Sequence, residues 1–236
     1  PVHSIGWAHT RFGKFDDLDA ETLIATVVRD ALVDAGLSAE QVDSVVIGTF
    51  NAGFVAQDFP SSLAMNAQPG LRFKPAVRVE NACATGSAAI HTGMQAIRAG
   101  AADVVLVVGY ERMNGLPTAQ VGEVLLKAAY VKEETSSAGF AGVFAGIAQK
   151  YFDAYGDASE TLARISAKNH LNAVANPYAH VRRDLGVPRY LMAAGVTSSQ
   201  IISIGYLEQD EPAAPYDLVR VTSAASRSDP CAVFQK

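Results

Sequence analysis

The stretch Val79-Glu80-Asn81-Ala82-Cys83-Ala84-Thr85-Gly86-Ser87 decides how this chain folds. A β-branched run over Ala76–Glu80 reads as a strand. The small and apolar residues of Ala84–Ala99 read as a helix, with Gly100 as its C-cap. One cysteine stands at the handover between them. Unpaired N–H groups and the helix dipole favour an anion at a helix N-terminus. The layout therefore predicts a thiol held in its nucleophilic, ionised form at the start of a buried helix. Covalent acyl transfer is the chemistry that suits such a group best.

Outward from this unit, Asp103–Val108 is a continuous apolar strand and Ser44–Thr49 a β-branched one. Val2–Trp7 reads as a first strand. Glu21–Ala35 reads as an amphipathic helix with Leu23, Val27, Val28, Ala31 and Leu32 on its apolar face and Gly36 as its stop. Ser61–Ala67 belongs to a further helix, ended by Pro69-Gly70. Strand and helix alternate, which predicts a parallel, doubly wound α/β sheet. After Tyr110 the pattern changes. Asn114–Gly142 is rich in Gly, Thr and Ser, shows no clear period and reads as an excursion from the sheet. Phe144–Tyr155 reads as a helix. Asp157 and Glu160 fit a capping box for another helix running to about His170, and Asn176-Pro177 ends that region. Ile201–Ile204 and Leu218–Thr222 are short strand candidates.

The chain has 236 residues, 49% of them apolar and 18% charged, which marks a globular protein with a sizeable core. Its net charge of −5 argues against a general nucleic-acid binder. Two cysteines, Cys83 and Cys231, form neither a disulfide framework nor a metal cluster, so a reduced, cytoplasmic setting is expected and no metal site is. Pro1–Gly13 does not read as a signal peptide, and no apolar run is long enough for a membrane span.

The run from Val79 to Ala89, continuing into Gly100-Ala101-Ala102-Asp103-Val104-Val105-Leu106-Val107-Val108-Gly109-Tyr110-Glu111-Arg112-Met113, resembles the thiolases. It is most similar to the branch of sterol-carrier-protein thiolases and acetyl-CoA acetyltransferases. Ala167-Lys168-Asn169-His170 and Asn176-Pro177-Tyr178-Ala179 extend the resemblance, which covers about residues 1–186. Ketoacyl synthases share a cysteine at this turn, but Gly109–Met113 favours thiolase. The resemblance implies a layered α/β/α half with a mostly parallel sheet: an α/β domain over residues 1–113 and an inserted loop domain over 114–190. Residues 191–236 are unassigned, with a return to the first sheet as one option. It also implies an enzyme of lipid metabolism that cleaves 3-ketoacyl-CoA or condenses acyl-CoA units, with Cys83 carrying the acyl group. Coenzyme A then enters as substrate, and no cofactor is implied. Homodimers or homotetramers, or a partner subunit, are expected.

The family pattern is incomplete here. The resemblance implies histidine-bearing segments that activate the nucleophile and build an oxyanion site, and a second cysteine as acid/base. None of His3, His9, His91, His170 and His180 matches such a segment, and the surroundings of Cys231 do not match the second cysteine. A natural half-protein, a truncated chain and a partner supplying the rest all fit. A chain of this kind is expected to oligomerise, because a large apolar patch is rarely left open. The alternative to catalysis is a thiolase-like subunit that needs a partner.

Among candidate residues, Cys83 is the nucleophile, against the bland reading of a packed core cysteine. Met113 and Asn114 follow a strand end, where open α/β sheets place sites, and are candidates for the acyl pocket. Arg182 and Arg183 are candidates for coenzyme A phosphates, against a solvated turn. His91 lies about 12 Å along its helix from the cysteine, too far to act as its base. Gly86 allows either close helix packing on the sheet or close approach of substrate.

Overall fold

Asp19 starts the first helix by geometry that its sequence allows: its extended backbone and short carboxylate accept the Thr22 N–H at 2.8 Å. Helix α1 (Ala20–Ala35) follows and ends at Gly36, whose φ of 65° is the left-handed conformation glycine adopts without cost. The computed structural model describes residues 1–184, 186, 189, 204–207 and 218–221. They divide into two compact units, Pro1–Tyr155 with Tyr178–His180, and Gly156–Pro177 with Val181–Lys236.

In the first unit three short apolar runs form a parallel sheet: β1 (Ser44–Gly48), β2 (Ala76–Val79) and β3 (Val105–Gly109), in the order β2-β1-β3. Val45 of β1 registers with Ala76 and Leu106, and Ile47 with Arg78 and Val108. Side chains alternate between the two faces. Val45, Ile47, Leu106 and Val108 join Ile24, Val28 and Leu32 of α1 in one core cluster. The opposite face receives helix α2 (Thr85–Arg98), brought close by glycine: a Cβ on Gly93 would lie 3.0 Å from Val107 Cγ2 and 3.2 Å from Val105 Cγ1. The sheet thus carries one helix on each face, which explains why β1 is apolar without alternation.

Two expectations shift. The buried stripe of α1 is Ala20, Ile24, Ala25, Val28 and Leu32, with Leu23, Val27 and Ala31 half-buried on its flank. Both stripes have helical spacing, and contact with β1 and β3 selects between them. Residues 2–7 form no strand. They run against α1 instead: Trp7 N–H donates to Asp34 Oδ2 at 2.7 Å, and a Cβ on Gly6 would sit 2.6 Å from Ala35 Cβ. This segment and β3 line a common cavity of about 600 Å³, so no ladder joins them.

Pro60–Asn66 is a 3₁₀ helix. Against the expectation of an irregular excursion after Tyr110, the segment contains helix α3 (Thr118–Leu126), and helix α4 (Gly139–Tyr155) follows it. In the second unit, helix α5 (Ser159–Ala175) reaches Asn176. Asp157 accepts the Ser159 N–H at 2.8 Å, but the capping box does not close: Glu160 pairs with Arg164 at 2.6 Å. Strands β4 (Ile204–Leu207) and β5 (Leu218–Val221) pair in parallel. No helix among the described residues is long and apolar enough to cross a membrane.

The start of the sheet has a pH-dependent tie. Asp43 Oδ2 accepts the N–H groups of Asp103 at 2.8 Å and Val104 at 2.9 Å. The Val104 bond, then the Asp103 bond, hold this carboxyl below its ordinary value of 3.8. A lowered folded-state value stabilises the fold above the unfolded value, and the benefit is lost as pH falls through the folded-state value. Asp43→Asn is expected to lower the urea midpoint at neutral pH, and the gap from wild type should close as both proteins are taken below pH 3.8. An unchanged gap in acid would contradict this.

Candidate active site

Between the end of β2 and the start of α2 the chain must reverse within Glu80–Ala84, and Cys83 lies in the single 3₁₀ turn Ala82–Ala84 that does so. Cys83 is exposed. The helix it precedes buries only one face, through Thr85, Ala89 and Gly93, while Ile90 is 54% exposed; the expected buried helix is therefore half-open here.

The turn is tightly held. Asn81 has φ −154° and ψ 50°, and Ala82 has φ 45°, a left-handed conformation that costs a residue with a Cβ about 1–2 kcal/mol. Glu80 Oε1 accepts the Ala82 N–H at 2.6 Å. Thr85 Oγ1 accepts the Asn81 N–H at 2.8 Å and donates to the Ala82 carbonyl at 2.7 Å. Ala82 also rests on an apolar cluster of Phe50, Phe54, Val124, Met113 and Leu125. Asn51 fixes that cluster by donating to the Val124 carbonyl at 3.2 Å.

Cys83, Met113 and Asn114 line one cavity of about 490 Å³, together with Phe50, Thr85, Gly86 and Glu111. The C-terminal ends of β1 and β3, at Gly48 and Gly109, reach the same space. This is where open parallel sheets place ligands. The side-chain amide nitrogen of Asn114 is buried and has no hydrogen-bond partner among the described residues. Of the two roles open to Gly86, close packing is not the one used: a Cβ there would meet nothing within 4 Å. Gly48 lets the first turns of α2 approach, since its Cβ would lie 2.9 Å from Thr85 Cγ2.

Arg182 and Arg183 belong to the second unit. The Arg182 guanidinium donates to the Val174 carbonyl at 2.9 and 3.3 Å, near the end of α5. Arg183 is exposed, and its carbonyl lies 3.2 Å from His170 Nδ1. Cys231 lies outside the described residues. Among them no group of three or more His, Cys, Asp or Glu is placed to hold a metal ion.

Among the cavity residues that no sequence motif marks as part of a site are Glu111, Phe50 and His9. Glu111 is exposed as a residue, but its Oε1 turns inward to accept from the Phe50 N–H and, at 3.5 Å, the Thr49 hydroxyl. Burial of the carboxyl raises it above its ordinary value, against the opposing pull of those two donors and of Arg78. Its place just past β3 was a signal, by the same strand-end rule that singled out Met113. His9 also lines the cavity, with its ring against Phe12 (4.8 Å) and Tyr178 (5.6 Å). Nothing local in the sequence points to it.

Comparison with known proteins gives the same placement. Residues 2–193 match the family model "Thiolase, N-terminal domain". The acetyl-CoA acetyltransferase of Methanothermobacter thermautotrophicus is 33% identical over 181 residues, covering 75% of this chain and 46% of that protein. Its namesake in Methanocaldococcus jannaschii is 34% identical over 179 residues, covering 75% and 45%. Sterol carrier protein 2 of Homo sapiens is 28% identical over 211 residues, covering 83% and 37%. The chain spans about half the length of the first two relatives or less. The solved acetyl-CoA acetyltransferase from Syntrophomonas wolfei shares the fold, with a TM-score of 0.56 at 22% identity over 73% of this chain and 46% of that one. With the family model spanning most of its length and the strand–cysteine–helix turn in place, the chain belongs to the thiolase family, matching its N-terminal domain.

Proposed function

We propose that this protein carries acyl groups between coenzyme A thioesters through a thioester on Cys83, in thiolysis of 3-ketoacyl-CoA or the reverse condensation. The observation that supports this most is the exposed thiol on a strained turn, opening on a cavity at the C-terminal ends of the strands. In the acylation step the Cys83 sulfur attacks the thioester carbonyl, the carbonyl–sulfur bond of the acyl-CoA breaks, and coenzyme A leaves as a thiolate that takes up a proton. Met113 supplies apolar wall for the acyl chain, and Asn114 lines the same cavity. Exposed apolar side chains such as Phe73 and Ile90 fit a second copy or a partner subunit.

A specific observation favours a narrower reading beside it. Among the described residues no hydrogen bond joins Cys83 to an imidazole or a carboxylate; the Glu111 carboxylate is engaged by Phe50, and His9 lies against aromatic rings. A positioned acid or base is typically worth about 10²–10⁴-fold in rate. The described residues therefore suit acyl capture better than full turnover, for which a partner would supply the proton-transfer groups. Incubation with radiolabelled acetyl-CoA followed by peptide mapping tests the proposal. Label on the peptide containing Cys83 is the expected result. A folded chain that takes no label would overturn it and leave a non-catalytic subunit.

A further inference from the structure

We propose that Thr85 is a positioning residue for Cys83: its hydroxyl clamps the turn that presents the thiol. The inference rests on the reading of Cys83 as the acyl carrier and assigns a task to a residue that reading does not otherwise use.

Left-handed backbone at a residue with a Cβ persists only where its surroundings over-determine it. At Ala82, which directly precedes the nucleophile, two side chains hold the backbone polar groups. Glu80 holds the Ala82 N–H at 2.6 Å, and Thr85 holds the Ala82 carbonyl at 2.7 Å while accepting the Asn81 N–H at 2.8 Å. A hydroxyl has one hydrogen and two lone pairs, so Thr85 makes both of its bonds at once. The two clamps are unequal. Glu80 is exposed and water competes for its bond. Thr85 is 6% exposed, and loss of its hydroxyl would leave the Asn81 N–H without its partner, while the Ala82 carbonyl would keep only the Thr85 backbone N–H.

The direction of the hydroxyl is also fixed. Thr85 is β-branched and stiff at χ1. Its methyl group Cγ2 fills the space left by Gly48, where a Cβ would come within 2.9 Å, and that leaves the hydroxyl facing the turn. One side chain therefore joins three things: the end of β1, the first residue of α2 and the strained turn carrying the thiol. The methyl sets the distance of the helix from the sheet, and the hydroxyl sets the angle at which Cys83 emerges.

The test separates these two parts. Thr85→Val keeps the shape and the methyl and removes both hydrogen bonds. Thr85→Ser keeps the hydroxyl and removes the methyl. In the full chain, single-turnover acetylation of Cys83 by acetyl-CoA and its alkylation by iodoacetamide are measured beside the urea midpoint. Thr85→Val should slow both reactions about tenfold, the change expected for a lost buried hydrogen-bond pair, and Thr85→Ser should restore the rates even where its midpoint is lowered. Wild-type rates in Thr85→Val, or Thr85→Ser as slow as Thr85→Val, would overturn the proposal. Should Thr85→Val fail to fold, amide exchange in the wild-type chain decides: a protected Asn81 N–H supports the clamp, and an Asn81 N–H exchanging as freely as an exposed loop contradicts it. If the wild type takes no acetyl group at all, the acyl-carrier reading fails, while alkylation and exchange still settle the role of Thr85.

Discussion

Cys83→Ala is expected to abolish acyl transfer to the chain while leaving its stability close to wild type. Cys83 is exposed and lies outside both apolar clusters, so truncation opens no cavity and removes no buried contact. Surface changes of this kind fall within about 0.5 kcal/mol. The turn itself is held by Glu80 and Thr85, which the substitution does not touch. The chemical effect, by contrast, is complete, because no other described residue of the cavity carries a thiol. Label retained by a folded Cys83→Ala protein would place the acyl group elsewhere.

Gly48→Val is the substitution expected to do most damage to fold and site together. Gly48 ends β1, and its Cα faces the first turns of α2. A Cβ there would lie 2.9 Å from Thr85 Cγ2, 3.3 Å from Ala89 Cβ and 3.4 Å from the Thr85 carbonyl oxygen. All three atoms belong to the buried residues Thr85 and Ala89, and one is backbone, so none can swing away cheaply. Overpacking typically costs about 1–3 kcal/mol, and the branched valine places this case at the upper end. Relief requires α2 to lift from the sheet, which carries Thr85 away from the turn. A lowered urea midpoint and slower alkylation of Cys83 should therefore appear together. Gly86→Ala is the contrast. One residue into the same helix, its Cβ meets nothing within 4 Å, and replacing a helical glycine by alanine should stabilise by about 0.5–1 kcal/mol. Equal effects at the two glycines would contradict the packing described here.

The parts of the fold that show in the sequence are those whose cause is local. The apolar runs of β1 and β3 and the small residues of α2 announce a sheet with helices on both faces. Helix α3 was hidden by Gly122 and by the turn-forming Asn114-Gly115 and Pro117 just before it, although Val121, Val124 and Leu125 have helical spacing; it packs on Phe50 and Phe54. Residues 2–7 have the composition of a strand, yet a strand needs a paired neighbour, and their neighbour is α1. The site divides in the same way. Cys83, Met113 and Asn114 are legible because strand ends and helix starts mark them. His9 and Phe50 reach the cavity through loops placed by tertiary contact, and no local pattern reports that. The arginine pair is legible as charge alone; Arg182 donates to the Val174 carbonyl, a partner that no local pattern reports.

Protection of one thiol tests the central claim most directly. The chain is preincubated with acetyl-CoA, freed of excess, and exposed to iodoacetamide, and the peptide bearing Cys83 is quantified against an untreated sample. A thiol that has accepted the acetyl group cannot be alkylated, so carbamidomethylation at Cys83 should fall in step with acetyl found on the same peptide, and hydroxylamine should restore it. Alkylation of Cys83 at the same rate and extent with and without acetyl-CoA would contradict the account.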